Sequence, residues 1–127
     1  MKTVKTLLFG TPQECESTGQ ILQSTLVGHC LEYRHVNDME EFEAALVEWE
    51  PSLTVVVADG AAGLESVFRS RNRRPCVPVF WFSDDREFGM QSYRLECAYF
   101  STKPITKDKM SNAIARCDHV GIDYAAC

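Results

Sequence analysis

The feature that most narrows the fold is an alternation: short apolar runs and amphipathic segments follow one another five times along 127 residues. The runs are VKTLLFG (Val4–Gly10), CLEYRHV (Cys30–Val36), LTVVVAD (Leu53–Asp59), VPVFWFS (Val77–Ser83) and AYFST (Ala98–Thr102). The third has the β-branched character of a central parallel strand buried on both faces. The second alternates and suits a position nearer an edge. Pro78 belongs near the start of the fourth, since proline cannot donate to a ladder.

Helix signals fill the gaps. Thr11-Pro12-Gln13-Glu14 joins a capping box to a proline at the first helical position. Cys15, Thr18, Leu22 and Leu26 then share a face. Asp38 and Glu41 form a second box, followed at helical spacing by Met39, Phe42, Leu46 and Trp49, up to Pro51. A third helix is expected over GLESVFRSRN, with Leu64, Val67 and Phe68 as its buried stripe. Met90, Tyr93 and Cys97 mark a fourth, weakened by Gly89 inside it. Thr106 caps a fifth that runs through Met110, Ala113, Ile114 and Cys117. Five βα units predict a parallel sheet with helices on both faces. The domain is expected over residues 1–120, with 121–127 as a tail or the start of a linker.

The net charge of −5 argues against direct nucleic-acid binding, which needs a basic surface. The exception is local: Arg69, Arg71, Arg73 and Arg74, read as cations at a helix C-terminus in preference to an anion-binding patch. No apolar run approaches the ~20 residues that span a bilayer. The first run is too short for a signal peptide, and no small-residue cleavage site follows it, so a cytoplasmic location is expected. Six cysteines are scattered without a CxxC pair and read as thiols. Cys117, His119 and Cys127 lack the second close pair that a zinc site requires.

In parallel sheets of this kind the working face lies outside the carboxyl ends of the strands. That rim collects Gly10-Thr11, Asp59-Gly60, Ser83-Asp84 and Lys103-Pro104. A serine ends the fourth strand, an aromatic (Phe100) sits in the fifth, and Lys103-Pro104 follows three residues later. Twenty residues separate Ser83 from Lys103. With these elements the chain resembles the receiver domain of bacterial two-component response regulators, the chemotaxis Y-like form of the flavodoxin-like fold. The resemblance implies a three-layer (βα)5 domain with a five-stranded parallel sheet in the order 2-1-3-4-5. It also implies switch-like roles for Ser83, Phe100, Lys103 and Pro104, and a cis bond before Pro104. Each of these residues has a plainer reading: Ser83 as a helix cap, Phe100 as a core aromatic, and Lys103-Pro104 as turn architecture.

The departures from the family pattern are chemical. Active receivers carry an acidic pair just after strand one that holds magnesium; here the place reads Phe9-Gly10-Thr11-Pro12. The expected phospho-acceptor position is Val57, and the nearest carboxylate is Asp59, two residues on. A site short of two acids is a poor octahedral oxygen cage. Lys103 supplies one point charge and does not replace the cation. The chain therefore resembles a divergent pseudo-receiver, like the N-terminal domains of some sigma-54-dependent activators.

Two functions are expected from this. The first is a regulatory domain that is not an enzyme, has no cofactor or metal, and acts by protein contact. Its surface would be a self-dimer or partner face on the fourth helix, fifth strand and fifth helix, with Tyr93, Arg94, Tyr99, Lys107 and Met110 as candidate contacts. A downstream AAA+ or DNA-binding domain is the implied effector. The alternative is a phosphorylatable, Mg2+-dependent receiver using Asp59, with Asp84 or another acid helping to hold the ion. Flavin binding is disfavoured, because Pro12 removes a donor from the loop after strand one and Glu14 repels a phosphate.

Overall fold

The computed structural model describes residues 2–26 and 28–119. Five strands, β1 (Lys2–Phe9), β2 (His29–Val36), β3 (Leu53–Val57), β4 (Val79–Ser83) and β5 (Tyr99–Thr102), form one sheet. All neighbouring pairs are parallel and the order is β2-β1-β3-β4-β5, as the resemblance implies. The helices are α1 (Pro12–Thr25), α2 (Met39–Glu48), α3 (Gly60–Arg73), α4 (Gly89–Arg94) and α5 (Lys107–His119), with a short 3-10 turn over Arg86–Phe88. The expected boundary at 120/121 and the tail beyond it lie outside the described residues.

Alternation along the strands divides the core in two. Val4 and Leu8 of β1, Leu53, Val55 and Val57 of β3, and Phe80 and Phe82 of β4 face Leu22 of α1 and Met110, Ala113 and Cys117 of α5. Leu7, Phe9, Val56, Val79 and Trp81 face Phe42 and Leu46 of α2 and Val67 of α3. Each large side chain buried this way contributes about 1.5–3 kcal/mol. Trp81 is fully buried and its Nε1 donates to the Ala58 carbonyl at 3.1 Å. Gly63 makes that approach possible, because a Cβ there would strike the Ala58 carbonyl oxygen and lie 2.8 Å from Trp81 Nε1.

The caps fall where the chain signals them. Thr11 accepts from the Glu14 amide at 3.3 Å, Asp38 from Glu41 at 2.8 Å, and Thr106 from Lys109 at 3.2 Å. The four arginines are structural ties in place of an open anion patch. Arg69 and Arg73 pair with Glu43 at 3.2 and 3.0 Å, Arg71 with Glu96 at 3.3 Å, and Arg74 with Glu50 at 3.5 Å.

Three expectations need correction. α3 starts at Gly60, so its inward stripe holds Gly63, Ser66, Val67 and Ser70 while Phe68 is 52% exposed. α4 spans six residues and begins at Gly89, leaving Cys97 outside it and Met90 and Tyr93 on the surface. Cys15, Cys30 and Cys97 are free thiols, but Cys76 is disulfide-bonded, against the reading of thiols throughout. No helix among the described residues is long and apolar enough to cross a membrane.

Candidate functional site

The carboxyl ends of β1, β3, β4 and β5 meet at one rim, and Lys103 occupies its centre. Its position is fixed by the backbone: Lys103 N donates to the Ser83 carbonyl at 2.9 Å, and the bond to Pro104 is cis. Its ammonium lies 2.5 Å from Glu14 Oε2 on α1 and 3.2 Å from Asp59 Oδ1 at the head of α3. The lysine side chain is 20% exposed. One cation is thus held between two carboxylates.

Asp59 stands at the N-cap of α3 but makes no capping bond with its side chain. The carboxylate turns across the rim, where Oδ1 accepts from the Asp84 amide at 2.8 Å and Oδ2 faces Lys103 at 3.3 Å. Partial burial alone would push its carboxyl up. The Asp84 N–H and the Lys103 ammonium outweigh that, so the group sits below its ordinary value. Lys103 mirrors it: partial burial would push the ammonium down, but Glu14 and Asp59 together hold it above the usual lysine value. Glu14 has a second task, accepting from the Thr11 hydroxyl at 3.0 Å.

Val57 ends β3 fully buried, in the place expected for a phospho-acceptor. Phe9 is also buried, with its ring edge-on to Phe42 at 5.0 Å between centroids. A Cβ on Gly10 would fall 2.6 Å from the Val57 carbonyl oxygen. Phe9 at the end of β1 and Gly10 just after it, where an active receiver would carry carboxylates, are thus taken up by core packing and by backbone contact. The described residues contain no group of three His, Cys, Asp or Glu side chains arranged to hold a metal ion. Glu14 and Asp59 are already neutralised in part by the Lys103 ammonium. This donor set does not fit an octahedral magnesium site.

Ser83 is fully buried at the end of β4, and its Oγ accepts from the Asp85 amide at 3.2 Å. This is a local turn bond and not the expected helix cap, because Asp85 caps the 3-10 turn that follows, accepting from the Glu87 amide at 2.9 Å. Phe100 is half-buried and edge-on to Trp81 at 5.2 Å. Lys103 joins the ion cluster, and Pro104 lines a cavity of about 430 Å³ beside it, together with Gln13, Glu14, Ser17 and Thr18. Of the surface candidates, Tyr93 is 84% exposed, Arg94 and Lys107 are exposed, and Tyr99 is half-buried against Phe82. Met110 is fully buried in the core, so it cannot be a contact residue. Its helix face is set by Ala113 and Cys117, at the same spacing. A cavity of about 510 Å³ opens between α3 and α4, lined by Leu64, Phe68, Gln91, Arg94 and Leu95. Sequence reasoning missed Glu14 as a member of the cluster; its place in the capping box accounted for it already.

This architecture is the flavodoxin-like receiver fold. Among solved structures, the chain is similar to the signal receiver domain of a modulated diguanylate cyclase from Desulfovibrio desulfuricans G20. The TM-score is 0.71 at 18% identity, covering 94% of this chain and 96% of that one. It is similar also to the N-terminal signal receiver domain of a two-component response regulator from Bacteroides fragilis, with TM-score 0.71, 13% identity and 91% and 95% coverage. A LuxR-family response regulator from Aurantimonas sp. SI85-9A1 gives 0.70 at 19% identity, with 90% and 84% coverage. At such identities the likeness concerns the fold. No protein-family model and no curated protein matches the chain.

Proposed function

We propose that this chain is a signal-transduction regulatory domain, an atypical receiver that is not phosphorylated and acts through protein contact. The observation that carries the reading is the ion cluster: Lys103 is committed to Glu14 and Asp59, while buried Val57 stands where an acceptor would be. Phosphoryl transfer to a carboxylate depends on a metal to offset the charge that develops between anions. Among the described residues, the rim offers neither the acids that would hold it nor an uncommitted acceptor. The internal carboxylates instead give the lysine the anionic partners that a phosphoryl group would supply.

The same reading makes the domain non-enzymatic, cytoplasmic and free of any cofactor. Its output is contact with a protein, or with a downstream AAA+ or DNA-binding domain, through α4, β5 and α5. Tyr93, Arg94 and Lys107 offer the exposed side chains on that face. The divergent N-terminal domains of sigma-54-dependent activators are the nearest functional analogy.

The alternative, phosphorylation of Asp59, draws on its half-exposed, ionised carboxylate. Incubation with magnesium and acetyl phosphate or beryllofluoride separates the two. The expected result is an unchanged intact mass and an unchanged amide NMR spectrum. A mass gain that disappears in Asp59→Asn would sink the proposal.

A further inference from the structure

β2 is an edge strand with a specific chemistry. Four consecutive residues, Glu32, Tyr33, Arg34 and His35, are exposed, and the ladder to β1 runs without a bulge for eight residue pairs. No proline interrupts the strand. The opposite edge differs: β5 has four residues, all half-buried.

The direction of the free hydrogen-bonding groups follows from one contact. Gly10 N donates to the Val36 carbonyl at 3.1 Å, so Val36 points its backbone groups at β1. In a parallel ladder alternate residues point the same way, so the even-numbered residues of β2 face β1. Leu31, Tyr33 and His35 present theirs to the open edge.

Charges usually guard an edge against pairing. Here they are two residues apart and of opposite sign, which reverses their effect in one arrangement. If two copies of β2 run antiparallel about a two-fold axis at Tyr33, Glu32 of each lies opposite Arg34 of the other. Tyr33 then meets Tyr33, and Leu31 meets His35, in the hydrogen-bonded pairs. Glu32 and Arg34 fall in the non-hydrogen-bonded pairs, where facing side chains stand closer. The faces agree as well. Val36 packs on the α2 side and Arg34 lies 5.1 Å over the Trp49 ring, so the charged pairs share that face. Tyr33 lies on the α1 side, against Gly19.

We propose that the β2 edge is a self-association surface, through which the five-stranded sheets of two copies join into one continuous sheet. The occupant is a second copy of this chain because the charge pattern is complementary to itself. This surface is separate from the α4 face and independent of whether Asp59 is phosphorylated.

The test is sedimentation equilibrium of the full chain, with circular dichroism as the control for folding. The natural chain is expected to show a monomer–dimer equilibrium that weakens as salt is raised. Glu32→Arg and Arg34→Glu each put like charges opposite one another twice, and each alone should weaken the dimer about tenfold or more. Mixing the two variants sets an arginine of one opposite a glutamate of the other at both contacts, so a heterodimer should form. Tyr93→Ala should leave association unchanged. The proposal is overturned if the natural chain stays monomeric to about 1 mM, if the single reversals associate like the natural chain, if the mixture fails to associate, or if Tyr93→Ala abolishes the dimer.

Discussion

Lys103 and Asp59 form an ion pair across the rim of the sheet, 3.2 Å from Nζ to Oδ1, although they are 44 residues apart in the chain. The pair joins the β5–α5 turn to the start of α3, and Glu14 extends it to α1. Because the lysine is mostly covered while Asp59 is 43% exposed, solvent screens part of the attraction. The cluster positions loops more than it stabilises the fold.

Replacing Lys103 with methionine keeps the aliphatic stem and removes the charge. Asp59 and Glu14 are then left as neighbouring anions. The expected loss is about 1 kcal/mol, the upper end for a partly exposed pair. Urea denaturation measures it; a loss above about 3 kcal/mol would indicate that the cluster is a buried structural element instead.

Acid should expose the contribution of Asp59. Its folded carboxyl sits below the ordinary value of 3.8, so its stabilisation is present above that value and is lost as pH falls through the folded one. Lys103 behaves in the opposite sense. Its folded value is raised, so its contribution holds below the ordinary value of 10.5 and is lost as pH rises past the folded one. Urea midpoints of the natural chain and Asp59→Asn should differ at neutral pH and converge in strong acid. Parallel curves would contradict this.

Met110 and Tyr93 should separate core from surface. Met110→Ala removes a fully buried side chain and should cost about 2–5 kcal/mol. Tyr93→Ala, at an 84% exposed position, should change stability by no more than about 0.5 kcal/mol. Thermal melts of the two variants check both numbers, and similar melting temperatures would refute the assignment.

The thiols should react in a fixed order. Burial pushes Cys15 and Cys97 up to about 12, which leaves almost no thiolate at neutral pH. Cys30 is exposed on the edge strand. Brief treatment with iodoacetamide, followed by peptide mass spectrometry, should label Cys30 first and the other two only after denaturant is added. Early labelling of Cys97 would count against the packing around it.

Gly10→Ala should destabilise the fold by about 1–3 kcal/mol, since its Cβ would press on a backbone oxygen that has no rotamer to change. A neutral outcome in urea denaturation would mean that the loop after β1 yields easily.

Much of the fold was legible because its signals are local. Thr11-Pro12 and Asp38-Glu41 name their helix starts within four residues, and LTVVV lacks polar alternation because both of its faces are covered. What escaped depends on distant neighbours. Phe68 has the spacing of a buried residue, but it faces the open cavity between α3 and α4 and stays half exposed. Met110 has the composition of an interface residue, yet the α5 face it shares with Ala113 and Cys117 docks on the sheet. Ser83, Phe100 and Lys103-Pro104 were found by position. The commitment of Lys103 to Glu14 could not be read from a glutamate whose capping role was already complete.

The close approach of Gly10 to the end of β3 limits which residues the loop can accept. Because main chain touches main chain there, no single codon change at position 10 can install an acidic group without first moving the loop. A carboxylate placed there would meet the Val57 carbonyl oxygen at its first carbon, before its oxygens could reach the rim. Exposed positions such as Tyr93 meet no such barrier, so the surface can vary where this loop cannot.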